Sequence, residues 1–193
     1  MQLIFATQNP NKLNEIKLLI PRSINLVSLE DLGFTEEIPE VADTLEGNAV
    51  IKAKVIYEKY GITSFADDTG LEVKELGGKP GVYSARYAGE DKNAESNIKK
   101  LFDELKGIKD RSACFRTVIA VISNGKSIVF EGKVEGTIAE KSMGVQGFGY
   151  DPVFIPTGFT RSFAQMSLDE KNKISHRGIA IKKFVEWLAK HQN

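Results

Sequence analysis

The sequence is poor in the features that would pin a chain with disulfides, in a membrane or along a nucleic acid. It has one cysteine, Cys114, so no internal disulfide can form. Cys114 lies in the apolar run from Ala113 to Ile122, where a free thiol is more often core filling than a nucleophile. No segment has the length and apolarity of a membrane span, and Met1-Gln2-Leu3-Ile4-Phe5-Ala6 lacks the basic lead and the length of a secretory leader. A soluble protein in a reducing, cytoplasmic setting is expected, with no membrane partner. An excess of charge is missing too: 26 Lys and Arg balance 26 Asp and Glu. Without a basic surplus there is nothing to grip a nucleic-acid backbone, so a polyanionic ligand must be met by a local group of donors. Repeats, low-complexity tracts and flexible linkers are also absent. The 193 residues are expected to form a single domain over 1–193, compact or elongated into two lobes, long enough to bury a core.

What is present is a mixture of strand and helix patterns. Leu3 to Ala6 predicts a short buried strand, and Leu13, Ile16, Lys17 and Ile20 follow with helical spacing. Asp43-Thr44-Leu45-Glu46 resembles a capping box, ahead of a helical stripe of Ala49, Ala53, Ile56 and Tyr60 that Gly61 ends. Thr63 to Ala66 predicts a strand running into Asp67-Asp68-Thr69-Gly70, and a helix is expected over Ala94 to Leu105. Cys114 to Ile122 and Ser127 to Ile138 flank Asn124-Gly125, a pair suited to the positive φ angles of a tight hairpin turn. A last helix is expected from near Ser175 to about Lys190. Because strands and helices do not alternate strictly, a mixed α/β sheet is favoured over a doubly wound parallel one.

Four segments carry chemistry. In Thr7-Gln8-Asn9-Pro10-Asn11-Lys12, a strand opens through a polar loop into a helix, an arrangement that aims backbone N–H groups at an anion. Lys12 adds a point charge, and Thr7 and Asn9 add side-chain donors. The alternative is an ordinary helix start, with Asn9 capping and Pro10 at the first helical position. In Asp67-Asp68-Thr69-Gly70, two carboxylates at a strand end suit Mg²⁺, which joins one or two carboxylates to phosphates. Strand neighbours point to opposite faces, so both can serve one ion only if the chain turns there, and Gly70 would permit such a turn. An Asp-rich turn without a metal is the alternative. Gly147-Phe148-Gly149-Tyr150-Asp151-Pro152 sets two aromatics among glycines, either to stack on a flat base or to tuck into the core. Lys171 and Ser175-His176-Arg177 place basic side chains at the positive end of a helix, where acids are favoured. Either ligand contacts compensate there, or both residues are simply solvated.

Taken together, the chain resembles the inosine triphosphate pyrophosphatase family, the non-canonical purine NTP pyrophosphatases. The matching segments are Phe5-Ala6-Thr7-x-Asn9-x-x-Lys12, Phe65-Ala66-Asp67-Asp68-Thr69-Gly70-Leu71, Pro80-Gly81-Val82-Tyr83-Ser84-Ala85-Arg86-Tyr87, Gly147-Phe148-Gly149-Tyr150-Asp151-Pro152 and Ser175-His176-Arg177-Gly178. They span almost the whole chain in the family's order. Thr69 stands where the family often has Ser, a change that keeps the hydroxyl.

The resemblance implies an elongated α/β fold with a long mixed sheet, flanking helices and a substrate cleft between two lobes. It also implies a homodimer that hydrolyses ITP, dITP and XTP to the monophosphate and pyrophosphate with Mg²⁺. By the same carry-over, Thr7, Gln8, Asn9, Pro10, Asn11 and Lys12 bind the triphosphate, and Asp68 is the general base. Glu40 and Asp67 or Asp68, or both, are the metal ligands; Glu46 is the alternative to Glu40, although the capping box already accounts for it. Thr69, Phe148, Gly149, Tyr150, Asp151, Lys171, His176 and Arg177 fall where phosphate, sugar and base are contacted. Two other readings share part of this pattern. A module that binds nucleotide without cleaving it has no need of the acidic pair, and a nuclease or nucleic-acid binder fits poorly with zero net charge.

Overall fold

The computed structural model describes residues Met1–His191. Its strands are β1 (Gln2–Phe5), β2 (Asn25–Ser28), β3 (Ser64–Val73), β4 (Pro80–Gly81), β5 (Ser112–Ser123), β6 (Lys126–Ile138) and β7 (Phe154–Pro156). The helices are α1 (Pro10–Lys17), α2 (Leu45–Tyr60), α3 (Ala94–Glu104), α4 (Leu168–Ile174) and α5 (His176–His191). The strands pair in the order β2-β1-β3-β5-β6-β7, with β4 on β3. β1 is parallel to β2 and β3, whereas the pairs β3–β4 and β6–β7 are antiparallel. The sheet is therefore mixed, as the irregular order of elements predicts. Asn124 and Gly125 join β5 to β6 with φ of 49° and 71°, the conformation a two-residue hairpin turn requires.

The chain divides into two compact units. The first contains Met1–Asp68, Thr117–Gly132 and the segment from Arg177 to the described end. In it β1 works as a two-faced strand. Leu3 and Phe5 pack with Ile16 of α1 and with Ile181, Phe184 and Leu188 of α5, whereas Ile4 and Ala6 pack with Ala53 and Ile56 of α2. β3 alternates in the same sense, Phe65 joining the α1/α5 side and Ala66 the α2 side. The second unit, Thr69–Arg116 and Lys133–His176, has its own core, in which Leu71, Leu101, Phe115, Phe154 and Phe163 are buried.

Local chemistry sets the helix ends. Asn9 caps α1 by accepting the N–H groups of Asn11 and Lys12, with Pro10 in the first turn. The helix stops at Lys17, so Ile20 lies beyond it although it still packs in the core. α2 is capped by Thr44, whose Oγ1 accepts the Gly47 N–H at 3.0 Å, and ends on Gly61 at φ 67°. The expected box from Asp43 to Glu46 does not form, because the cap falls one residue later and Glu46 is left exposed in the first turn. A reciprocal capping box does open α4, between Ser167 and Glu170. Ser175 joins the two helices: its N–H ends α4 on Lys171 O, and its extended backbone puts it at the position directly before α5.

The expectation of a turn at Gly70 is corrected. β3 runs on as extended strand through Asp67-Asp68-Thr69-Gly70 to Val73. Gly70 serves close approach instead: β4 lies so near that a Cβ on Gly70 would stand 2.6 Å from Gly81 O.

Candidate active site

With no turn at Gly70, the two aspartates obey the strand's alternation and go to different partners. Asp67 follows Phe65 onto the side that carries α1 and α5, and its carboxylate lies 3.1 Å from Lys12 Nζ and 3.2 Å from Arg177 Nε. Arg177 also donates through Nη1 to Glu15 of α1. Glu15, Asp67 and Arg177 are each at most 3 % exposed, so the cluster is a desolvated charge network in which each ion depends on its partners. Burial by itself would raise the Asp67 carboxyl, but Lys12, Arg177 and Lys52 outweigh it and hold the group well below the usual carboxylate range. Burial lowers the Lys12 ammonium, against the pull of Asp67.

Asp68 follows Ala66 onto the side of α2. Its Oδ1 accepts from Lys52 Nζ at 3.0 Å and its Oδ2 from Asn48 Nδ2 at 3.4 Å, while Lys52 Nζ also reaches Glu40 Oε1 at 2.8 Å. Burial pushes the Asp68 carboxyl above its ordinary value, and the attraction of Lys52 and Lys12 only partly offsets this. Burial disfavours the Lys52 charge, yet Asp68 and then Glu40 hold the ammonium above its ordinary range. Burial and pairing thus move the two neighbouring carboxyls in opposite directions.

The same geometry tests the site's fitness for a metal. Glu40 and Asp68 are hard oxygen donors that already share a cation, the Lys52 ammonium, and the Glu40 side chain keeps 28 % exposure toward solvent. Among the described residues no group of three or more His, Cys, Asp or Glu is arranged to hold a metal ion alone. Two carboxylates so placed could join a hard divalent cation whose remaining positions are filled by water or by ligand oxygens. Asp67, expected among the ligands, has its ion pairs with Lys12 and Arg177 instead.

In the first loop, Asn9 spends its side-chain oxygen on the start of α1, and Gln8 Nε2 donates to Glu36 O at 3.0 Å. The loop is therefore a capped helix start whose distinct charge is Lys12, with Thr7 half-buried and Pro10 and Asn11 exposed beside it. In the second unit, Asp151 accepts the Phe148 N–H at 2.8 Å and Lys171 Nζ at 2.6 Å, which fixes the loop from Gly147. The Lys171 ammonium lies 5.0 Å from the centre of the half-buried Phe148 ring. Tyr150 belongs to the core and donates its hydroxyl to Ser84 O at 2.9 Å, leaving Phe148 as the loop's accessible ring. Ser84 in turn accepts the Leu71 N–H and donates to Gly81 O, so the segment from Pro80 to Tyr87 braces β3 and β4. Gly149 and Thr69 are half-buried. His176 is buried and stacks on Phe115 with ring centres 4.4 Å apart. His176 and Arg177, adjacent in sequence, thus serve different surroundings, the first aromatic and the second ionic.

Glu15, Asn48 and Lys52 escaped sequence reasoning. Asn48 and Lys52 did leave a trace: they are four residues apart, on one helix face, within the stripe of Leu45, Ala49, Ala53 and Ile56. Glu15 left little, since its partner Arg177 is 162 residues away.

The profile of the Ham1 family matches residues 3–187 of the chain. The chain is similar to a dITP/XTP pyrophosphatase of Christiangramia forsetii, with 55 % identity over 98 % of this chain and 100 % of that one. A dITP/XTP pyrophosphatase of Porphyromonas gingivalis is 53 % identical over 97 % of each chain. Among solved structures, the Ham1 protein of Staphylococcus aureus superposes with a TM-score of 0.89 at 38 % identity, covering 98 % of this chain and 99 % of that one. Near-complete coverage at such identity leaves one assignment: the chain belongs to the Ham1 family.

Proposed function

We propose that this protein hydrolyses the non-canonical purine nucleoside triphosphates dITP, ITP and XTP to the nucleoside monophosphate and pyrophosphate, with Mg²⁺ as cofactor. The reading is supported by relatives named dITP/XTP pyrophosphatase that align over nearly their whole length. The observation that carries it is Asp68, a buried carboxylate set between Asn48 and Lys52, with Glu40 on the same ammonium. Asp68, which shares the Lys52 ammonium with Glu40, takes the proton of the water that attacks the α-phosphorus as a general base. Glu40 and Asp68 would hold the metal, which would supply positive charge to the substrate's phosphates.

Lys12, kept in place by Asp67, faces charge developing on the departing pyrophosphate, and Thr7 through Asn11 shape the loop around it. Thr69 and Lys171 are assigned to the substrate's phosphate and sugar. Phe148, on the loop with Gly149, Tyr150 and Asp151, offers a ring to the base. No covalent intermediate is required, so catalysis rests on positioning and electrostatics. The active protein is a homodimer, which light scattering would report as twice the chain's 21.3 kDa.

Hypoxanthine and xanthine present an acceptor at O6 and a donor at N1, and adenine presents the reverse. Donors from His176 and Arg177 toward O6 would meet a donor on adenine, a mismatch worth ~10⁴-fold or more in a site built for the bond. Because Arg177 also braces Glu15 and Asp67, Arg177→Ala will lower the folded fraction as well. The ratio of kcat/KM for ITP to that for ATP is immune to that loss and is the quantity to measure; a ratio unchanged in Arg177→Ala removes this assignment.

The deciding experiment is pyrophosphate release from ITP, dITP, XTP, GTP and ATP with Mg²⁺. Release from the first three and little from ATP or GTP is expected. No release, or orthophosphate as the product, would overturn the proposal.

A further inference from the structure

Lys52 sits one turn beyond Asn48 on the buried stripe of α2, among Leu45, Ala49, Ala53 and Ile56. Its side chain is only 9 % exposed, and its ammonium stands 2.8 Å from Glu40 Oε1 and 3.0 Å from Asp68 Oδ1. A lysine is rarely buried without a partner, and here the partners are the two carboxylates to which the metal is assigned. The ammonium bridges them both, so a dication approaching the pair meets a like charge at close range in a poorly screened setting.

We infer that Lys52 is a built-in cation that closes the Glu40–Asp68 pair while no metal is bound and must be displaced before a metal can enter. The inference rests on the assignment of the metal to Glu40 and Asp68. Its consequence is quantitative: metal affinity in the absence of nucleotide is reduced by the small fraction of molecules in which the lysine has left the pair.

The test is calorimetric titration of Mg²⁺ into the full chain without nucleotide, with Mg²⁺-dependent unfolding temperature as a second readout. Wild type is compared with Lys52→Met, Lys52→Gln and Lys52→Arg, and Glu40→Gln is examined alone and with Lys52→Gln. Removing the charge is expected to tighten Mg²⁺ binding by about tenfold or more, and Lys52→Arg to leave it no tighter than wild type. The Gln variant keeps a polar partner for the pair and guards against a fold lost in the Met variant. If Mg²⁺ binding in Lys52→Met and Lys52→Gln is absent, weaker or unchanged while Glu40→Gln still diminishes it in wild type, displacement is wrong and the metal assignment stands. If Glu40→Gln changes nothing in the Lys52→Gln background, the metal assignment itself is wrong.

Discussion

Asp67 and Asp68 are consecutive residues of one extended strand, yet their carboxylates enter separate ion networks. Asp67 is held by Lys12 and Arg177, and Asp68 by Lys52 and Asn48. The strand's twofold alternation accounts for the division, and it also divides their chemistry: one carboxyl is driven down in pKa and the other up.

Substitution should separate the two roles. Asp68→Asn removes the proton acceptor and is expected to lower kcat by about 10²- to 10⁴-fold with nucleotide binding kept. Asp67→Asn leaves Lys12 and Arg177 short of a buried counter-charge and is expected to cost about 3–5 kcal/mol of stability in urea unfolding. The pattern reversed, with Asp67→Asn fully stable and Asp68→Asn fully active, would show the networks to be misassigned.

Arg177 links Glu15 to Asp67, so those two acids should be coupled through it. In a double-mutant cycle of Glu15→Gln and Asp67→Asn, the loss of stability should depart from additivity by about 0.5–3 kcal/mol. Additive losses would mean that the guanidinium does not connect them.

Gly147 has φ 72°, and a Cβ there would stand 2.1 Å from Asp151 Oδ2. Gly147→Ala should therefore displace the carboxylate that holds the Phe148 N–H and Lys171, lowering the unfolding temperature and raising KM. Gly149 has φ 60°, and a Cβ there would meet nothing within 4 Å, so Gly149→Ala bears backbone strain alone, about 1–3 kcal/mol. Equal KM values for the two variants would contradict the Asp151 argument.

Burial, with a smaller contribution from Glu135, pushes the Cys114 thiol up to about 12. The thiolate is the reactive form, so iodoacetamide at pH 8 should label the native protein far more slowly than the urea-unfolded one. The sign for stability follows: below the ordinary thiol value of 9.0 neither state ionises, and above it the unfolded chain ionises first, so this group's contribution turns destabilising as pH rises from there toward about 12. Rapid native labelling at pH 8 would refute the placement.

Much of the local structure was legible. Asn9-Pro10 announces the start of α1, Asn124-Gly125 the hairpin turn and Gly61 the end of α2, because caps and turns depend on residues within a few positions of one another. The loop from Gly147 was legible as glycine-rich, but only packing sorts its aromatics: Tyr150 finds Ser84 O and is buried, whereas Phe148 stays half-exposed beside Lys171. Gly70 misled for a physical reason. Glycine permits a turn and permits close strand approach equally well, and the neighbouring strand at Gly81 decides between them.

By itself the sequence determined the mixed α/β class, the helix and hairpin boundaries to within a residue or a few, and the acidic, basic and aromatic segments from which a site can be made. It also contained the rule that adjacent strand residues point apart. Tertiary structure alone decided that β3 stays extended through Asp68, and therefore which side each aspartate faces. It alone supplied Glu15, Asn48 and Lys52 as partners, since ion pairs form between groups that folding brings within about 3 Å, whatever their separation along the chain.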